Sequence, residues 1–230
     1  MTLLALDCAT NACSAALWRG GAVGACRYQE MRRGHAESLM PMVRSIMDEA
    51  KLEFGDLEAI AVTVGPGAFT GIRIGLAAAR GFALAADLPV IGVTTLEAVA
   101  AANRIGNGLL LVALDSKRDD IYVQLFDRDG SSLVAPAAVM PGSVALLIPD
   151  GVQLSLAGDA ADRVAKALAA RDPQPQRLTG GDLPNAAVVA RIAARRLATT
   201  PPQSGEPPPA AVYLRPPDAV PQGQQQSTAQ

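Results

Sequence analysis

At 230 residues, half of them hydrophobic and 18% charged, the chain is long and apolar enough for one large domain or two small ones around a buried core. A formal net charge of −2, with no basic run longer than Arg195-Arg196, leaves no electrostatic footprint for a nucleic-acid backbone, so any service to nucleic acid runs through a partner. The cysteines, Cys8, Cys13 and Cys26, match neither a zinc knuckle nor a CxxC pair and read as buried or inert thiols. The N-terminus carries no basic n-region and Asp7 interrupts its short apolar run, so neither a signal peptide nor a membrane span is expected, and a reducing cytoplasm is the expected setting.

Leu3-Leu4-Ala5-Leu6 is an apolar run ending in Asp7, followed by a polar bend through Asn11 and a second run, Ser14-Ala15-Ala16-Leu17-Trp18, closed by Gly20-Gly21. The pattern predicts a hairpin with a carboxylate at its bend. From His35 to Leu52 the period turns helical, with Leu39, Val43, Ile46, Met47 and Ala50 in one stripe and methionines at 40, 42 and 47. Such a stripe faces either the protein's own sheet or an adaptable association surface. Pro41 marks a kink or the first turn.

The run Ala59-Ile60-Ala61-Val62-Thr63-Val64 reads as a strand, Gly65-Pro66-Gly67-Ala68-Phe69-Thr70-Gly71-Ile72-Arg73 as a glycine turn, Thr70 to Ala86 as a helix and Val90-Ile91-Gly92-Val93 as the next strand. This is a βαβ unit with a right-handed crossover. The glycines make the turn either a phosphate site or a close-packing device. A P-loop needs Lys and Ser or Thr directly after its last glycine, where Ile72 and Arg73 stand, and the dinucleotide fingerprint fails because Gly67 and Gly71 are four apart. Along the helix, Gly71, Gly75 and Ala79, with the neighbouring Ala77, Gly81 and Ala85, form small-residue ladders that admit a close neighbour, and Arg73 and Arg80 share one face.

Residues 109 to 130 repeat the first plan: Leu109 to Leu114 ends in Asp115, a polar bend follows, then Ile121 to Phe126 and the turn Asp127-Arg128-Asp129-Gly130. The two aspartates lie 115 − 7 = 108 residues apart, a spacing of duplicated α/β halves, since solenoid periods run at roughly 20 to 50 residues. Beyond them come a short strand near Leu154-Ser155-Leu156, a helix near Ala160 to Ala170, and a helix from Asn185 to Ala198 that Asn185 caps and Val188, Val189, Ile192 and Leu197 render apolar on one side. After Thr200 the composition turns to proline, and residues 222–230 form a glutamine-rich tail expected to be disordered.

Asp7 with Thr10 and Asn11 is suited to hold a hydrated cation and to offer a hydroxyl and amides to a phosphate, with Gly67 of the glycine turn as a further candidate for phosphate binding. The matching second hairpin has Ser116-Lys117-Arg118-Asp119-Asp120 after Asp115, with no glycine, so half of that clamp is missing. His35 is the one histidine in the chain, which excludes a metal site built on two histidines. No Gly-x-Ser-x-Gly elbow is present, so a peptidase reading has no nucleophile and base pair.

Leu4-Ala5-Leu6-Asp7-Cys8-Ala9-Thr10, His35-Ala36-Glu37-Ser38-Leu39-Met40-Pro41, the string Gly65 to Arg73 and Val212-Tyr213-Leu214-Arg215 together resemble the TsaB (YeaZ) family of the actin-like, sugar kinase and Hsp70 ATPase superfamily, over about residues 2 to 218. The resemblance implies an α/β fold of two related halves with mixed sheets, the second reduced: residues 1–105 as the half carrying dimerisation helices, 106–200 as the second half, then a proline-rich segment 201–218 with a YLRPP motif and a disordered tail 219–230. It further implies a non-catalytic scaffold for making N6-threonylcarbamoyladenosine beside the anticodon of tRNAs, partnered with a catalytic TsaD-like paralogue and a TsaE-like ATPase, a homodimer when alone, meeting tRNA only through the complex and no membrane. The paralogue carries a His-x-x-x-His metal pair where this chain has Thr95-Leu96-Glu97-Ala98-Val99. Interface residues implied on the first-half helices are His35, Leu39, Met42, Val43, Ile46, Phe69, Arg73, Leu76, Ala77 and Arg80. No cofactor or metal is required under this reading; an ATP-binding phosphotransferase or ATPase using Asp7 and Thr10 is the alternative.

Overall fold

The structure, a computed structural model, describes residues 1–103, 105–200 and 207–215. The start of the proline-rich segment (201–206), and the chain from 216 onward with the glutamine-rich tail, lie outside the described residues.

The first hairpin continues into a meander. Gly20 and Gly21, both in the left-handed region (φ 62° and 92°), reverse the chain after β1 (Thr2–Asp7) and β2 (Ala12–Arg19) into β3 (Ala22–Glu30). β3 has no counterpart in the sequence reading, because as an outer strand it is buried at Ala25 and mostly exposed elsewhere, which removes its apolar alternation. Helix α1 (His35–Ala50) holds Pro41 in its interior and ends at Lys51 (φ 53°). β4 (Ala59–Thr63), α2 (Phe69–Ala86) and β5 (Val90–Val93) follow, giving a sheet of order β3-β2-β1-β4-β5 in which β4 and β5 run parallel to β1.

The second half repeats this order. After α3 (Thr95–Ala102) come β6 (Leu109–Asp115), β7 (Ile121–Phe126), β8 (Ala137–Val139), β9 (Leu154–Ala157), α4 (Ala161–Ala167), β10 (Gln176–Arg177) and α5 (Ala186–Thr199), with the sheet arranged β8-β7-β6-β9-β10. β6 pairs antiparallel with β7 and parallel with β9, as β1 does with β2 and β4. The second half is reduced at its margins, where β8 has three residues and β10 two.

Strand alternation divides β1 between two cores. Leu4 and Leu6 join Leu39, Val43, Ile46 and Met47 of α1 and Ile72, Leu76 and Ala79 of α2. Leu3 and Ala5 face the other way, onto Ala186, Val189, Ala190 and Ala193 of α5. Thus α5, which chain order groups with residues 106–200, packs on the first sheet. Its start is fixed there: Asn185 Oδ1 accepts from the Ala187 amide at 2.8 Å, and the Ala186 amide donates to Ser14 Oγ at 2.9 Å. α3 makes the reverse exchange, setting Leu96 and Val99 against Leu110, Val112 and Leu114 of the second sheet. Arg196 of α5 binds both oxygens of Glu97 in α3 at 2.6 Å, so the exchanged helices are also tied to each other.

Candidate functional site

The glycine turn lies on the first hairpin's bend. A Cβ on Gly67 or Gly71 would overlap the backbone carbonyls of Ala9 and Cys8 respectively, and the Ala68 amide donates to Ala9 O at 2.7 Å. The segment 207–215 returns to the same place. The Val212 amide donates to Val64 O at 2.7 Å, and Val212 O would stand 2.7 Å from a Cβ on Gly65, whose φ of 101° already suits glycine. Gly65 to Gly71 is therefore a packing junction for three chain segments. The inner ladder follows suit: Gly75 approaches Val62 of β4 and Cys8 just after β1, and Ala79 is fully buried.

Asp7 sits beneath this junction, fully buried. Its Oδ1 accepts from Thr63 Oγ1 at 2.7 Å and from the Ala9 amide at 3.1 Å, while Oδ2 has no partner among the described residues. Burial pushes the carboxyl up to about 7, against the smaller pull of those two hydrogen bonds. Thr63 was not singled out in the sequence; its one signal is a polar residue at the end of an otherwise apolar strand.

Between the halves lies a cleft of about 940 Å³ lined by Thr10, Asn11, Arg32, Arg33, His35, Thr70, Gly71, Asp115 and Lys117 among others. The α1 and α2 N-termini open onto it, with Gly34 and Ala68 at their caps and no side-chain cap on either. Thr10 Oγ1 is buried without a partner among the described residues. His35 Nε2 lies 2.9 Å from Thr10 O. Across the cleft, burial works to raise the Asp115 carboxyl, but its hydrogen bonds and charge contact with Lys117, helped by Arg163, hold it below the ordinary carboxylate value. The cleft thus brings Thr10, Asn11 and Gly71 together with Asp115, while Asp7 lies under its floor.

The structure corrects part of the expected interface. Leu39, Val43, Ile46 and Leu76 are buried against the protein's own sheet, because the stripe that reads as an association face is the one α1 and α2 need for their core. Met42 is half-buried against that core and His35 half-buried at the cleft. Phe69, Arg73, Ala77 and Arg80 are exposed on the outer side of α2, beside Gly81 and Leu84. Two of them are already engaged by the returning segment: Arg80 donates to Pro209 O at 2.9 Å and Arg73 Nε to the Tyr213 hydroxyl at 3.3 Å. The Arg73 guanidinium lies 3.6 Å from the Phe69 ring centroid, and that ring meets Tyr213 at 5.2 Å. Arg215, just beyond, pairs with Asp120 of the second half. The sequence marked Val212 to Arg215 as a motif but gave no sign of where it docks.

Two sheets of this shared order with exchanged helices define an actin-like α/β protein, a likeness that extends at 10% identity and a TM-score of 0.50 to component A of the Acidaminococcus fermentans (R)-2-hydroxyglutaryl-CoA dehydratase. Residues 29–177 match the family model of TsaD, tRNA N6-adenosine threonylcarbamoyltransferase. Within that group, the chain belongs to the TsaB (YeaZ) family. It is 40% identical over 135 residues to the tRNA threonylcarbamoyladenosine biosynthesis protein TsaB of Escherichia coli, covering 58% of each chain, so the match spans just over half of that relative's length. An uncharacterized Mycobacterium tuberculosis protein is 34% identical over 222 residues, 96% of this chain and 94% of its own. The solved structure of YeaZ from Pseudomonas aeruginosa superposes with a TM-score of 0.74 at 33% identity, covering 86% of this chain and 93% of that one.

Proposed function

We propose that the chain is a non-catalytic scaffold subunit in forming N6-threonylcarbamoyladenosine on tRNA, docking a TsaD-like catalytic paralogue through the outer face of α2. The observation that carries this reading is that face itself: Ala77, Gly81 and the 87% exposed Leu84 form an open small-residue and apolar stripe on a helix whose opposite side is already packed in the core. A stripe of this kind lets a second helix approach closely. The chain's single histidine agrees with a subunit that leaves the metal chemistry to its paralogue. In this scheme a TsaE-like ATPase joins the complex, tRNA is met only through it, the chain pairs with itself when alone, and the setting is the cytoplasm. Mixing the chain with its TsaD-like paralogue and measuring mass by light scattering tests the docking. The parent chain gives the heterodimer and the Ala77→Arg/Leu84→Asp variant gives separate subunits; an undiminished complex with that variant overturns the placement.

A second reading, residual phosphate binding in the cleft, draws on the Thr10 hydroxyl, which has no partner among the described residues, beside two helix N-termini without a side-chain cap among them. Calorimetric titration with magnesium and ATP decides it. Heat that Thr10→Val abolishes supports it, and no heat at millimolar nucleotide removes it.

A further inference from the structure

Cys8 and Cys13 face each other at the bend of the first hairpin. The β1–β2 register pairs Asp7 with Ser14, so positions 8 and 13 are the next to stand opposite. Residues opposed in an antiparallel pair have Cα atoms about 4.5 to 5.5 Å apart, within the roughly 4.4 to 6.8 Å that a disulfide spans. The two sulfurs lie 3.6 Å apart, and both side chains are buried. Cys13 Sγ also lies 4.0 Å from the carbonyl oxygen of His35, a residue of the cleft wall, so the pair sits one layer below the cleft. The two thiols are not equivalent: the hydrogen bond between them holds the Cys13 thiol below its ordinary value, whereas that same bond and burial push Cys8 up. Cys26 is elsewhere, its sulfur 3.8 Å from Asn185 Oδ1.

We propose that Cys8 and Cys13 form a reversible dithiol–disulfide switch, oxidised by small peroxides, beneath the N-terminus of α2. The Cys13 thiolate attacks one peroxide oxygen; the O–O bond breaks, and the leaving hydroxide takes up a proton to become water, giving a sulfenic acid on Cys13. The Cys8 sulfur then attacks the Cys13 sulfur, the S–O bond breaks, and the departing hydroxide leaves as water with the Cys8 proton. Two thiols and one hydrogen peroxide thus give one disulfide and two waters.

The bridge is suited to a switch because it closes a very short loop, so it removes little unfolded-chain entropy and adds little stability that would resist reduction. Its formation also bears on α2. Bonding requires the sulfurs to move from 3.6 Å to about 2.05 Å, and Cys8 is the residue on whose carbonyl Gly71 rests and whose Cβ faces Gly75. Oxidation therefore shifts the support of the first turns of α2.

The test uses the full chain alone, so its outcome does not depend on the proposed assembly. The protein is treated with graded hydrogen peroxide, quenched with an alkylating reagent and mapped by mass without reduction; Cys8 and Cys13 both lie in the tryptic peptide Met1–Arg19. The expected product is that peptide lighter by two hydrogens, restored by dithiothreitol, with Cys26 still alkylated and amide exchange altered over residues 68–76. In Cys8→Ala the resolving thiol is gone, and a sulfenic acid on Cys13 becomes trappable by dimedone. Free thiols at both positions after treatment, over-oxidation in place of the bridge, or a bridge to Cys26 overturns the proposal, and the parent mapping decides this even if the variant fails to fold.

Discussion

Two glycines of one helix should respond to the same substitution with opposite sign. Gly71 is the third residue of α2, and a Cβ there overlaps the backbone carbonyl of Cys8; Gly81, further along, has nothing among the described residues within 4 Å of that position. Alanine in a helix is worth about 0.5 to 1 kcal/mol over glycine where space is open, so Gly81→Ala should stabilise by that amount. At Gly71 the same gain is offset by an overpacking cost of about 3 kcal/mol, the upper end of the usual range, because the obstacle is buried backbone that cannot change rotamer. The net loss is about 2 kcal/mol, and the two variants differ by about 3 kcal/mol, or roughly 6 to 12 °C in melting temperature for a chain of this size. Urea unfolding of parent and both variants, followed by circular dichroism, measures it. If Gly71→Ala is as stable as the parent, the glycine turn is not a packing junction.

The Asp7 carboxyl, raised in the folded chain from 3.8 to about 7, contributes stability that is complete below about pH 4 and lost as pH rises through 7, since the unfolded chain releases the proton first. About three pKa units at 1.36 kcal/mol each give roughly 4 kcal/mol; Asp7→Asn should flatten this slope, and urea midpoints at pH 5 and 8 that fall in parallel for both proteins would contradict it. Leu39→Ala should cost about 2 to 5 kcal/mol in chemical unfolding, as a fully buried leucine does, while the exposed Leu84→Ala stays within about 0.5 kcal/mol; equal effects would return the α1 stripe to the surface. Tyr213→Ala removes both the ring contact to Phe69 and the acceptor for Arg73, and faster amide exchange at Val212 is expected, with unchanged exchange showing that the returning segment is held elsewhere.

Much of the fold was legible because its strands are strongly patterned. Leu3 to Asp7 and Leu109 to Asp115 are apolar runs ending in carboxylates, and their recurrence exposed the duplication. Strands such as β3, β8 and β10 were not legible, being outer, short or largely uncovered, so no alternation marks them. Helix α3 is apolar on nearly every side, which suits a helix wedged between the second sheet and α5 but erases the period that would announce it. The inward course of the α1 stripe and the crossing of α5 to the first sheet depend on which surface each apolar face meets, and one chain's pattern carries no such address. The approach of Cys8 to Cys13 was not legible for a related reason: their five-residue spacing fits no cysteine motif, and only the hairpin register brings the sulfurs together.

The scaffold role is tested most directly by reconstituting tRNA modification from the TsaD-like paralogue, the TsaE-like ATPase, threonylcarbamoyl donor and tRNA, with and without this chain. If the chain is the scaffold, modification collapses when it is omitted, returns when the parent chain is added, does not return with the Ala77→Arg/Leu84→Asp variant, and is absent when the chain is supplied without its paralogue. Undiminished modification in its absence, or turnover by the chain alone, would contradict it.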